Sequence, residues 1–279
     1  MTITVDDSFI KQYESEVHEA YQQRGAKMRG ACRIKQVAAE DTTFQKVGKG
    51  TAGKKTRHGK VPVMNAAHTT VTATLEDWFA GDWSDKLDEL KQNIDERTVV
   101  SNAGAFALGR KVDGLINAAA RLSLPSGQKV AEGSAGLTKA KALSAIEILN
   151  KTDVMDDGQR FCFVGPHQWN ELTNITEFAS ADYVGESFPF LKGMQEPRRW
   201  LNVIWIYSTQ LTLSSGTRYV MMWHRSAMGL GEGMDITSDI TWHGDYAAHF
   251  INNMLSAGSV RIDDEGVVEI ACDDDATIS

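Results

Sequence analysis

A chain of 279 residues, 42% of them hydrophobic and 24% charged, has the apolar content for one large core or two smaller ones, which excludes a disordered protein. Its formal net charge of −8 counts against a dedicated nucleic-acid binder, whose surface is ordinarily basic. The longest apolar run, at 203–207 with its flanks, is far too short to cross a bilayer as a helix.

The opening stretch, MTITVDDSFIKQYESEVHEA, is polar and acidic and lacks the basic-then-apolar order of a secretory signal. Phe9, Tyr13, Val17 and Tyr21 recur every four residues, which predicts an amphipathic helix over 6–24 with Asp6, Asp7 or Ser8 as its cap. Its apolar stripe suits either the core of this chain or the surface of another copy.

From 31 to 75 the texture becomes strand-like. CRIKQVAAEDTTFQKVG and VPVMNAAHTTVTATLED alternate in the manner of strands, and between them lies the glycine-rich, basic KVGKGTAGKKTRHGKVP. Residues 42–75 hold Lys46, Lys49, Lys54, Lys55, Arg57 and Lys60 and no acid. The pattern predicts a long two-stranded excursion whose tip buries too little apolar area to order itself without a partner.

The segment 82–122 is predicted to be the main helix, because Leu87, Leu90, Ile94, Ala105, Leu108, Val112, Leu115, Ala119 and Leu122 follow three- and four-residue steps. Asp82, Asp85, Asp88, Glu89, Asp95 and Glu96 make its first part acidic, and SNAG at 101–104 predicts a kink or break. A two-helix hairpin is the alternative.

Beyond a loop at 124–136, Thr138 is placed to cap a helix over KAKALSAIEILNK, and Asp156, Asp157 and Gly158 mark a turn. RFCFVG is a buried-type strand, and Pro166 suits the first turn of a helix over HQWNELTNI. WLNVIWIYS and RYVMMWH predict two more buried strands, with SSG as turn chemistry between them. Gly229, Gly231 and Gly233 predict a loop, GDYAAHFINNMLSAG a helix, and VRIDDEGVVEIACD a terminal hairpin around Asp264, Glu265 and Gly266.

Enzyme signatures are weak. Gly48 to Lys55 imitates a phosphate-binding loop but places Lys55 where the magnesium-binding Ser or Thr belongs, and Pro62 and the glycines oppose the helix that should follow. The seven histidines show no metal-ligand spacing. Cys32, Cys162 and Cys272 are odd in number, far apart and form no CxxC pair, which predicts reduced thiols. Asp273 to Asp275 make a solvated acidic tail a better reading than a cation site. No catalytic residue, cofactor or metal is predicted.

Taken in order, TTFQKVGKGTAGKKTRHGKVPVMN, TLEDWFAGDWSDKLDELKQNIDER and ALGRKVDGLI, followed more loosely by LTKAKALSAIEILN, RFCFVGPHQWNEL and ASADYVGE, resemble the major capsid proteins of tailed phages. The resemblance covers nearly the whole chain and is most specific over 42–116. It implies the Hong Kong 97-type α+β fold. An N-terminal arm would occupy 1–35, an extended β-hairpin E-loop 36–80, a peripheral domain with a spine helix 81–134, an axial domain 135–249, and a return to the peripheral domain with the tail 250–279. With about 35 residues ahead of the loop, the expectation is that no long helical prodomain is fused there and that either a separate scaffolding protein guides assembly or the subunit manages alone.

The resemblance further implies hexamers and pentamers in an icosahedral shell around double-stranded DNA, with portal and scaffolding or decoration proteins as partners and no membrane. The protein would reside in the virion, and in the host cytoplasm during assembly. Opposite charge predicts that Lys46, Lys49, Lys54, Lys55, Arg57 and Lys60 of one copy meet the acidic 82–97 segment, with Asp82, Asp85, Asp88 and Glu89, of the next. Direct DNA contact by the loop is the competing reading. An encapsulin-like compartment shares the implied fold, and a nucleotide-binding enzyme using 48–55 is the alternative of another class.

Overall fold

The computed structural model describes residues 23–87, 96–179 and 197–277. The helix expected over 6–24, together with Asp88 and Glu89, lies essentially outside them.

A four-stranded sheet has the order β1 (Arg33–Gln36), β11 (Met228–His243), β12 (Ala248–Arg261), β4 (Glu76–Asp85). A second sheet runs β5 (Lys129–Val130), β13 (Val267–Asp273), β10 (Thr217–His224), β6 (Arg160–Val164), β8 (Val203–Tyr207), β7 (Arg198–Trp200), with β9 (Leu213–Ser214) also on β10. The remaining strands, β2 (Asp41–Val47) and β3 (His68–Thr74), pair only with each other.

Helix α1 (Glu96–Arg121) lies against β12, β4 and β11 and closes a core of Leu108, Val112, Ile116, Trp223, Leu230 and Leu255. Its buried stripe follows 108, 112, 116 and 120, whereas Leu115 and Ala119 are half-buried and Leu122 is 73% exposed. The expected seam therefore drifts by one position. Asp113 and Asn117 share the buried face because each finds hydrogen-bond partners there, which apolar periodicity cannot register.

The expected break at 101–104 is absent: α1 runs through it. Gly104 serves close approach instead, since a Cβ there would collide with the Asn253 amide and stand 3.1 Å from the Ala80 carbonyl oxygen. Residues 82–85 likewise belong to β4, not to a helix, because β4 pairs with β12 from Glu76↔Ala257 to Asp85↔Ala248.

The second core gathers Leu149, Cys162, Trp169, Leu172, Trp205 and Val220 beneath α2 (Lys139–Lys151), α3 (Pro166–Asn174) and α4 (Thr176–Ala179). Thr138 caps α2 by accepting from the Lys141 amide, and Pro166 opens α3, both as the sequence indicates. The strand expected at 200–208 forms as β8 over Val203–Tyr207, and its start is a hairpin turn: Leu201 and Asn202, at φ 51° and 57°, form the two-residue turn between β7 and β8.

Three further expectations fail for one reason, which is that pairing partners distant in sequence decide strand identity. Residues 248–258 form β12, held between β11 and β4, with Ile251, Asn253, Leu255 and Ala257 buried at period two. The Gly229, Gly231 and Gly233 stretch is strand β11, not a loop. β12 and β13 do not pair with each other; the chain passes from one sheet to the other at Asp263, whose side chain accepts from the Glu265 amide.

Candidate assembly surfaces

The β2–β3 hairpin is in register from Asp41↔Thr74 to Val47↔His68, as the alternation of both segments requires. Its inward face carries Thr42, Phe44 and Ala73, all buried, with Phe44 and Ala73 against Ile262. The hairpin rests on the glycines of β11 and β12. A Cβ on Gly229 would meet the Phe44 ring at 2.7 Å, one on Gly231 would meet Thr42 Cγ2 at 2.7 Å, and one on Gly258 would collide with the Thr74 carbonyl oxygen. Gly229 and Gly231, expected from the sequence in a loop, are thus part of the bed on which the hairpin lies.

Two of the six loop bases are committed within the chain. Lys46 Nζ lies 2.6 Å from Asp263 Oδ1, and Lys49 Nζ lies 2.9 Å from Glu265 Oε2 while donating to the Thr152 carbonyl oxygen at 3.2 Å. Hydrogen bonding to Glu265 holds the Lys49 ammonium above its ordinary pKa. Beside these pairs a cleft of about 510 Å³ opens between the hairpin root, the end of α2 and the turn at 263–266.

Past Lys49 the excursion is irregular to residue 67 and stays narrow. Gly48 N donates to the Ala67 oxygen at 2.7 Å, Gly50 abuts the Met64 side chain, and Gly53 faces Pro62, 2.7 Å from a Cβ position. Lys54, Lys55, Arg57 and Lys60 are exposed, as are Val61, Val63 and Met64. No helix follows Lys55, so the phosphate-cradle reading has no structure to support it.

Of the acids expected to face the loop, Asp82 and Asp85 lie on β4 and are exposed. Asp82 accepts from the Trp83 amide at 2.8 Å and Asp85 from the Leu87 amide at 2.7 Å. Neither approaches the chain's own loop bases closely enough to pair.

Anchoring groups that the sequence did not single out hold the rest in place. The Arg29 guanidinium clasps Glu232 through two bonds of 2.6 and 2.8 Å, beside Gln36 at 3.0 Å. Asp113, fully buried, accepts from Gln23 Nε2, Lys27 N and Met28 N at 2.6, 3.0 and 2.8 Å, pinning the incoming chain across α1; burial nonetheless raises its pKa. Arg218 holds Asp274 through two 2.8 Å bonds and keeps that carboxyl below its ordinary range. A carboxylate far in sequence from its donors carries no local signal.

Burial raises the Cys32 and Cys162 thiols well above their ordinary value and the Cys272 thiol to about 12, so none is an available nucleophile at neutral pH. Among the described residues no cluster of side chains is set to hold a metal, and no helix is long and apolar enough to cross a membrane.

A family model described as phage capsid protein matches residues 5–274. No curated protein matches the chain. Among solved structures, the capsid of cyanophage P-SCSP1u aligns with a TM-score of 0.72 at 17% identity, covering 98% of this chain and 95% of that one. A Mycobacterium phage Che8 chain gives 0.71 at 16% identity over 98% and 100%. The capsid of Ralstonia phage GP4 gives 0.71 at 11% identity over 98% and 97%. At these identities the likeness is one of fold, and it runs the length of the chain.

Proposed function

The chain belongs to the phage capsid protein family and is a shell-forming capsid protein, and we propose that its copies assemble as hexamers and pentamers into an icosahedral head around double-stranded DNA. Its work is repeated contact between copies with closure, rather than turnover of a substrate, so we assign it no enzymatic role. In this proposal the chain divides into arm, E-loop, peripheral domain with α1 as spine helix, axial domain and return, and its partners are portal and scaffolding or decoration proteins.

The observation that carries the reading is the hairpin. Its root is fixed on glycines and by two ion pairs, yet residues 48–67 extend past it with exposed bases and exposed valines. About ten residues in each arm reach up to roughly 33 Å when extended. A segment with this reach that does not bury its own apolar side chains is suited to a neighbour. Lys54, Lys55, Arg57 and Lys60 are the bases free to act there, whereas Lys46 and Lys49 brace the hairpin on its own subunit. The net charge of −8 suits a wall that holds DNA without adhering to it.

Imaging and sizing of particles from cells making the chain with its companion head proteins tests the proposal. Closed shells containing nucleic acid are expected. Closed shells filled with protein cargo would replace the genome-bearing head by a compartment, and a stable monomer or dimer would overturn both.

A further inference from the structure

We propose that Ser226 is an acyl-acceptor site, a serine whose hydroxyl is activated by His224 and Asp157 and takes one acyl group from an activated ester or thioester. The site is independent of the shell: one covalent modification of the subunit, without turnover.

β10 ends at His224, where pairing with Arg160 on β6 leaves the residue 3% exposed, and the chain then turns through a short 3-10 helix, Arg225–Ala227. The turn brings the Ser226 hydroxyl back onto the His224 ring, with Oγ 2.7 Å from Nδ1. The Ser226 amide donates to the same nitrogen at 3.3 Å, so Nδ1 is an acceptor and carries no proton. The one ring proton of the neutral imidazole therefore sits on Nε2, which faces Asp157 Oδ1 at 3.0 Å. Hydroxyl, acceptor nitrogen, N–H and carboxylate thus follow one another in the order that makes a serine a nucleophile.

Asp157 is itself held in place, as its Oδ1 accepts from the Gln159 amide at 3.0 Å and its Oδ2 from Gln159 Nε2 at 3.1 Å. The Gln159 amide and the His224 contact keep this carboxyl below its ordinary range, so the orienting charge is present at neutral pH. It lies 67 residues before His224, and no short sequence signature announces the group.

This is more than a buried histidine satisfying its own nitrogens, because Ser226 is exposed although its base is buried. Both residues line the cleft of about 510 Å³ beside the hairpin root, where Val47, Val154, Met155 and Ala227 offer an apolar patch to a short acyl chain. In the step, a bond forms from Ser226 Oγ to the acyl carbon as the hydroxyl proton passes to His224 Nδ1. The bond to the alkoxide or thiolate breaks, and the leaving group departs with that proton. An acyl-serine and a free alcohol or thiol result, with no change of oxidation state.

A fluorophosphonate probe tests the site on the purified full-length subunit, since it reacts with activated serines and leaves ordinary hydroxyls untouched. Oγ displaces fluoride from phosphorus, and the serine proton leaves through Nδ1. One adduct per chain is expected, mapped to Ser226 by peptide mass spectrometry and absent from Ser226→Ala. p-Nitrophenyl acetate should add one acetyl group to the same serine. Asp157→Asn, at a side chain 37% exposed, should slow labelling about tenfold or more with urea unfolding unchanged, because the amide no longer fixes the ring tautomer. Absent labelling, labelling confined to other residues, or labelling of Asp157→Asn at the parent rate would overturn the proposal.

Discussion

Lys46 Nζ stands 2.6 Å from Asp263 Oδ1, and this pair ties the root of the basic hairpin to the corner where the chain leaves β12 for β13. Both side chains are about one-third exposed, so Lys46→Ala is expected to cost under about 1 kcal/mol of global stability. Its local effect should be larger. Amide exchange in β2 and β3 should accelerate while that in β10 and β13 stays unchanged, read by hydrogen exchange of the subunit. Uniform exchange across the molecule would contradict the bracing role.

Glycines of two kinds give opposite predictions. Gly258→Ala drives a Cβ into the Thr74 carbonyl, which is backbone and cannot rotate away, so a loss of about 1–3 kcal/mol is expected. Gly114, within α1, has nothing within 4 Å of a Cβ position, and Gly114→Ala should gain up to about 1 kcal/mol from helix propensity. Urea unfolding of the two variants beside the unsubstituted chain reads both signs.

Two carboxylates give pH dependences of opposite sign. Burial raises the pKa of Asp113, so its contribution is full below the ordinary carboxylate value and is lost as pH rises through the raised one. The Arg218 pair lowers the pKa of Asp274, so its contribution is present above the ordinary value and lost as pH falls through the lowered one. Asp113→Asn should remove the first slope and, by turning an amide donor toward at least one of the three existing donors, cost about 1–3 kcal/mol at neutral pH. Asp274→Asn should remove the second. Unfolding measured across the acid range separates them.

Charge reversal of the arm separates assembly from folding. Lys54→Glu, Lys55→Glu and Arg57→Glu lie on exposed residues, so subunit stability should stay within about 0.5 kcal/mol. Shell yield should fall sharply, and assembly of the unsubstituted chain should weaken as salt is raised. Normal shells from the triple variant would sink the electrostatic part of the account.

Where the signal was local, the sequence was legible: the Thr138 cap, Pro166 at the head of α3, the apolar run of β10, and the alternation that pairs β2 with β3. It misled where long-range pairing decides. Residues 248–258 carry apolar residues that fit a helix as well as a strand, and only β4 and β11 on either side settle the matter. Gly104, Gly229 and Gly231 read as breakers, although each is small because another segment lies against it. The bases of the arm were legible as an unpaired set, but Lys46 and Lys49 turned out to have partners more than two hundred residues away. The ring contact of Trp83 with Phe250 was not legible, since the two meet only through the register of β4 on β12.

In the proposed shell the arm is braced on its own subunit and completed by the next. Electron cryomicroscopy of closed shells tests this most directly. Residues 48–67 of each subunit are expected to lie in continuous density against the body of a neighbour, with Lys46 and Asp263 still paired within one chain. Shells in which 48–67 folds back on its own subunit at every position would contradict it.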